Sequence, residues 1–238
     1  ENKTVVDVSV KTEKLSIREM ARAIIHTPSL LPVFVADTAS NCTSFLLPTL
    51  AVYYWTHVAE KPEWLALQML VMSICGVCGA FNSRFLMRKF AIRTACLLVY
   101  PFITVLLFST RFVADSPLLF IAVSAIAQFF ISNTQPMENK LYLDAAEYSE
   151  RETGISAKGS ILSIATVADV GATLIRNLVI SAVFIIIGYT AVDVSDAIKQ
   201  RIVDTYSLLP ALFPVIAWVS MFFFYKLAPE KKRINNEK

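Results

Sequence analysis

Six stretches of the chain stay apolar for about as long as a helix needs to cross a bilayer: roughly 29–57, 64–83, 94–113, 117–138, 160–188 and 207–227. About 20 helical residues span the hydrocarbon core. Short alternating strands are absent from the pattern, so helices are the form in which this backbone can satisfy its own polar groups in lipid. The pattern predicts an all-α membrane protein, with six transmembrane helices over 28–227 between a polar segment at 1–27 and a basic tail at 228–238. In the first of these flanks, Ile17, Met20, Ala21, Ile24 and Ile25 share one helical face and Arg18 and Arg22 lie on another, which predicts a short amphipathic helix along the membrane surface. The tail can rest on anionic lipid. The polar link 189–206 is long enough for a short external helix.

The spans differ in where their polar residues fall. The third and sixth are nearly pure hydrocarbon and can face lipid all round. In the first, Asp37, Asn41 and Ser44 recur at helical spacing, with Pro48 one turn further. In the fourth, Ser124, Gln128, Ser132, Gln135 and Asn139 do the same, and in the fifth, Thr166, Asp169, Thr173 and Arg176. Residues three or four apart share one helix face. Ser, Thr, Asn and Gln in membrane helices often do no more than bridge to a neighbour. A charge is different, because at mid-membrane it costs roughly 2.5–3.5 kcal/mol on insertion scales. Asp169 sits about 15 Å from the start of its helix, near that depth. The stripes are therefore read as a polar cavity. Asp37, Asn41, Gln128, Gln135, Asp169, Thr173 and Arg176 are its candidate solute-binding residues.

Charge adds orientation. The net charge is only +3, in a chain that is 55% hydrophobic with a mean hydropathy of +0.57. Seventeen Lys and Arg fall on the side that holds both termini and the links after the second and fourth spans, against four (Lys61, Arg111, Lys199, Arg201) on the other. That asymmetry predicts both termini in the cytoplasm of a multi-pass cell-membrane protein. Tyr53, Tyr54 and Trp55, with Trp64 beyond the link, are expected to form an interfacial aromatic belt, and His57 and His26 sit at the two boundaries. Cys75 and Cys78 form a C-x-x-C inside a span beside Gly76 and Gly79, a setting that favours close helix packing over redox chemistry. A phosphate-binding loop for an ATP-driven pump, a filter-like interruption for a channel, and a Gly-x-Ser with an intramembrane His for a protease are all missing from the sequence. Neither a metal, an organic cofactor nor a nucleic-acid partner is expected.

Between the fourth and fifth spans lies DAAEYSERETG, residues 144–154, a dense knot of charge. Matching stripes in the first and fourth spans suggest a three-plus-three inverted repeat, the plan of one half of a major facilitator transporter. The knot resembles the D-x-x-[DE]-Y-x-E segment after the tenth helix of the glycoside–pentoside–hexuronide:cation symporters, the family of melibiose permease. Asp144, Glu147, Tyr148 and Glu150 supply it here, followed by Thr153 and Gly154. AKGSILSIATVADVGA resembles that family's eleventh helix, IIIGY its outer end, and SIREMARAIIHTPSLLPVF the entry to its seventh. The resemblance implies the carboxy-terminal half of a twelve-helix secondary transporter, partnered by an amino-terminal six-helix half. It implies symport of a small polar solute, a glycoside or hexuronide among the candidates, with Na⁺ or H⁺ as coupling ion. One departure concerns the fifth span, where the family often has a Lys at the position that aligns with Asp169. Asp144, Glu147, Tyr148 and Glu150 are expected to form a cytoplasmic latch with basic residues such as Arg84 and Arg88. Exposed pairs contribute about 0–1 kcal/mol each, enough in combination to bias two closely balanced states.

Overall fold

The computed structural model of the chain describes residues 30–153, 158–189 and 195–225, with side chains for all of these except 148–153 and 158–162. The surface helix expected at 16–27, the tail at 228–238 and the side chains of Tyr148 and Glu150 lie outside the described residues. Six helices follow in order: α1 (Leu30–Tyr53), α2 (Trp64–Lys89), α3 (Ile92–Ser109), α4 (Pro117–Thr153), α5 (Lys158–Ile187) and α6 (Asp196–Phe223). A π-helical turn, Tyr54–Val58, extends α1, and a 3-10 turn, Thr110–Val113, extends α3. All six are long and apolar enough to cross a membrane.

Two helices run further than hydropathy alone indicates. The knot up to Thr153 is not a loop, because α4 continues through it. Lys140 and Asp144, one turn apart, pair across that continuation at 2.5 Å. The link after α5 likewise carries no separate external helix within 195–206. Instead α6 starts at Asp196 behind an extended Ser195, and Gln200 donates to Asp204 at 3.2 Å on its first turns. Apolar content ends where the hydrocarbon ends, but side-chain pairs at i, i+4 let a helix run on into water. The preceding α5 stops at Gly188, whose φ of 68° lets the Tyr189 amide close on the Phe184 carbonyl at 3.0 Å.

Prolines inside the helices explain two of the cross-bundle hydrogen bonds. A proline has no N–H for the carbonyl four residues earlier. In α6, Pro214 frees the carbonyl of Pro210, and Thr43 of α1 donates to it at 3.3 Å. In α3, Pro101 frees the carbonyl of Leu97, and the Trp218 indole of α6 donates to it at 3.2 Å. Neighbouring side chains thus take over carbonyls that lipid could not satisfy.

The packing follows a regular scheme. α1 packs on α5 and α6, α4 packs on α2 and α3, and α1 meets α4 as α3 meets α6. Exchanging α1 with α4, α2 with α5 and α3 with α6 leaves this set of neighbours unchanged. The closest approach is between α2 and α4, where a Cβ on Gly79 would lie 2.1 Å from the Phe129 carbonyl oxygen. The glycines beside Cys75 and Cys78 therefore serve packing, and both cysteines are free.

Burial corrects two expectations. The third and sixth helices are not bathed in lipid on every side, since 33% of the apolar window of α3 and 50% of that of α6 are covered within this bundle. The least covered are α5, at 11%, and α2, at 17%. Nor do the aromatics after α1 form an exposed belt. Tyr54 and Trp55 are fully buried: Tyr54 stacks on Phe120 at 3.8 Å, and Trp55 donates to Gln68, which in turn donates to Tyr206 at 3.0 Å. His57 shares a 2.7 Å hydrogen bond with Tyr189. In the same outer region Lys199 bridges to Glu60 at 2.6 Å and holds that exposed carboxyl below the usual carboxylate range.

The proline relay has a measurable consequence. Thr43→Val should lower bundle stability by about 1 kcal/mol, the typical size of an interhelical hydrogen bond in a membrane. In a Pro214→Ala background the restored N–H satisfies Pro210, so the same substitution should cost close to nothing. Equal losses in both backgrounds, read by detergent unfolding, would show that Thr43 does not act through that carbonyl.

Candidate functional site

The site grows from two helix faces turned toward each other. On α1, Asp37, Ser40 and Asn41 lie at i, i+3 and i+4. On α4, Gln135, Glu138 and Tyr142 lie at i, i+3 and i+7. Spacings of this kind place each trio on one side of its helix. All but Gln135 are buried.

Two carboxylates organise the seam. Asp37, 6% exposed, accepts from Asn41 Nδ2 through Oδ1 and from the Tyr142 hydroxyl through Oδ2, both at 3.0 Å. Gln135 Nε2 extends the chain to Asn41 Oδ1 at 3.3 Å. Glu138, 1% exposed, accepts at Oε1 from the hydroxyls of Ser40 and Tyr100, each at 2.6 Å. Tyr100 arrives from α3, so three helices meet on one carboxyl group. Asp169, on the open face of α5, is exposed and lies within electrostatic reach of both Asp37 and Glu138.

The remaining candidates are divided. The Thr173 hydroxyl bonds back to the Asp169 backbone carbonyl at 3.0 Å. Arg176 does not meet Asp169. Its guanidinium donates twice to Asn177 Oδ1, at 3.2 and 3.0 Å, and sits 5.7 Å from the centre of the Phe45 ring. Gln128 donates to Ser132 at 3.2 Å, and both pack against Gly76 of α2. Ser124 is drawn into the outer aromatic core by Tyr206 at 3.2 Å. The fourth-span stripe thus serves packing at its outer end and joins the carboxylate seam only at Gln135. A surface groove of about 780 Å³ lies elsewhere: Val183, Leu208, Leu212 and Val215 give it an apolar wall, with Arg201 and Asp204 also lining it.

The residues expected to form a latch are only partly described. Asp144 pairs with Lys140 on its own helix rather than with α2. Among the described residues, Arg84 and Arg88 enter no ion pair, nor does Glu147, and Arg93 caps the Phe222 carbonyl of α6 at 2.9 Å.

Sequence reasoning passed over Ser40, Tyr100, Glu138 and Tyr142. Glu138 fell at the last position of the fourth apolar stretch and read as its boundary, although its cost in hydrocarbon is that of Asp37. Tyr100 lay in a span that read as bare hydrocarbon.

Comparison with known proteins decides the family. The profile of the MFS/sugar transport protein family matches residues 3–228. The chain belongs to that family. It is a multi-pass membrane protein of a transporter family, with six described helices long and apolar enough to cross a membrane. It is 23% identical over 223 residues to the "Putative sulfoquinovose importer" of Escherichia coli strain K12, covering 93% of this chain and 48% of that protein. The corresponding importer of Salmonella typhimurium strain LT2 is 24% identical over 224 residues, covering 92% of this chain and 47% of the relative. The "Putative glycoside/cation symporter YagG" of E. coli strain K12 is 22% identical over 192 residues, 79% of this chain and 41% of the relative. The chain spans about half the length of the curated relatives it matches.

Tyr142→Phe isolates one bond of the seam. It leaves Asp37 Oδ2 buried and without its donor, a defect that typically costs about 1–3 kcal/mol. Thr166→Val, on the exposed face of α5, should stay within about 0.5 kcal/mol. Indistinguishable unfolding midpoints for the two variants would mean that the Tyr142 bond carries no stability.

Proposed function

We propose that this chain forms the carboxy-terminal six-helix half of a symporter that moves a glycoside-class sugar together with Na⁺ or H⁺ by alternating access. Family membership and the names of the two E. coli relatives support the class of solute and the coupling to a cation. The observation that carries the reading is the pairing of a buried carboxylate seam, Asp37 with Glu138, with the uncovered polar face of α5 that bears Asp169. A charged side chain left open on a membrane helix needs a polar neighbour, and a second six-helix half across the cavity supplies one. The symmetric neighbour scheme of α1–α3 and α4–α6 supports a three-plus-three inverted repeat. The charge asymmetry of the links supports cytoplasmic termini in the cell membrane.

In this reading Asp37, Asn41, Gln135 and Asp169 line the solute and ion path from the carboxy-terminal side. Gln128 and Thr173 border it, and Arg176 is held by Asn177 and Phe45 at its edge. Asp144, Glu147, Tyr148 and Glu150 on the cytoplasmic extension of α4, with Arg84 and Arg88 at the end of α2, face the other half as a latch. Solute binding and ion binding both draw on α1 and α4, so each can bias the same rearrangement.

The deciding experiment is uptake by the full-length protein in proteoliposomes, with sulfoquinovose and a methyl glucoside as probe solutes. Uptake driven by an ion gradient without ATP is expected. The 238-residue chain alone should not accumulate either solute, because its cavity has one wall. Asp169→Asn should abolish accumulation while the protein still inserts. Normal accumulation by Asp169→Asn, with an unchanged dependence on pH and Na⁺, would remove Asp169 from the path.

A further inference from the structure

Glu138 is unusual among the buried polar residues. Its Oε1 holds two short hydroxyl bonds, whereas its Oε2 is buried and has no hydrogen-bond partner among the described residues. An ionised carboxylate spreads its charge over both oxygens, so a dry, unpartnered Oε2 is the least favourable place to leave half of it. A neutral carboxylic acid fits the same geometry. Its carbonyl oxygen has two lone pairs and can accept from Ser40 and Tyr100 at once, while the proton resides on the other oxygen.

The surroundings point the same way. From α1, Glu138 faces Asp37 and Ser40. From α3 it faces Tyr100 and Cys96, and from α5 Asp169. On α4 itself the nearest cation, Lys140, is committed to Asp144. Every charge this carboxyl meets is thus acidic, and among the described residues none of them is offset by a basic side chain. Nor do three carboxyl, imidazole or thiol groups converge there as metal ligands do.

We propose that Glu138 is a proton-binding site within this half of the protein, loaded on Oε2 in the state described here, and that it carries the coupling proton. The first part stands on the geometry alone. The second rests on the symporter reading above and narrows its coupling ion to H⁺. The step is a simple transfer: a proton from water on the outer side adds to the ionised Glu138 carboxylate, and the same O–H bond breaks to release it to water on the inner side.

Infrared difference spectroscopy of the full-length protein, with the proton as the only ligand, tests the first part. At neutral pH the wild type should show a protonated-carboxyl C=O band that shifts in D₂O and is missing from Glu138→Gln. Tyr100→Phe, which removes one donor to Oε1, should keep the band and move it to higher frequency. This second variant serves if Glu138→Gln does not fold. A wild type without the band, or a band unmoved in Tyr100→Phe and retained in Glu138→Gln, overturns the proposal. Transport tests the second part. Glu138→Gln should insert as the wild type does yet lose accumulation driven by a pH gradient. Accumulation that persists in Glu138→Gln, or that only Na⁺ drives in the wild type, overturns Glu138 as the coupling site. Failure of the wild type to accumulate solute under any gradient would sink the symporter reading and leave the infrared result standing.

Discussion

Placing two carboxylates inside one membrane bundle is the constraint on which the rest of this structure turns. Neither Asp37 nor Glu138 has a basic partner among the described residues. Each must instead be held by neutral donors, and the helices have to be positioned to bring those donors in. Asn41 comes from the same helix as Asp37, one turn on. Tyr142 and Ser40 cross in opposite directions between α4 and α1, and Tyr100 reaches in from α3. The α1–α4 contact is therefore stitched by polar bonds, in a medium where apolar contact adds little because lipid is as apolar as leucine. Such bonds also fix register. Sliding either helix by one residue would turn a carboxylate into hydrocarbon and strip its donors.

The same logic extends to the backbone. Pro101 in α3 and Pro214 in α6 each remove an amide donor, and side chains from neighbouring helices replace them. Thr43 reaches Pro210 from α1 and Trp218 reaches Leu97 from α6, so each proline ties its helix to another. Bends thereby become links. At the other extreme, the α2–α4 pair reaches its distance by the absence of a side chain at Gly79, where even one methyl group would meet the Phe129 carbonyl. Polar bonds, relayed carbonyls and bare glycine contacts divide the bundle's helix pairs between them.

How much of this was legible in the sequence depended on the physical signal each feature leaves. Spanning helices announce themselves by length and hydropathy, and all six did. The polar residues of α1 and α5 stood out against apolar neighbours, but spacing along single helices did not show that Gln135 of α4 reaches Asn41 of α1. The ends of α4 and α6 were hidden because hydropathy measures where lipid stops, whereas helix propagation depends on local pairs such as Lys140 with Asp144. Glu138 was obscured by the same edge effect. Tyr100 and Tyr142 were hidden for another reason: a tyrosine counts as aromatic and apolar in any pattern, and only packing reveals that its hydroxyl is the part in use. Tyr54 and Trp55 misled in the opposite sense, since aromatic residues near a helix end favour the interface on average, yet here they fill the outer core around Gln68 and Tyr206.

The distribution of bonds also bears on motion. Among the described residues, every hydrogen bond to Asp37 and Glu138 lies within α1 or between α1, α3 and α4, inside one bundle of six. A rearrangement that rocks this bundle as a body against a second one leaves them intact, and costs only what is broken between the halves. A rearrangement that shears α1 along α4 would have to strip donors from both buried carboxylates together, at about 1–3 kcal/mol for each orphaned oxygen. The first route is therefore the cheaper one by several such defects. On that route the buried seam is the part that would stay fixed, and the unpartnered Oε2 of Glu138 is the atom in it that could gain or lose a proton without breaking a hydrogen bond.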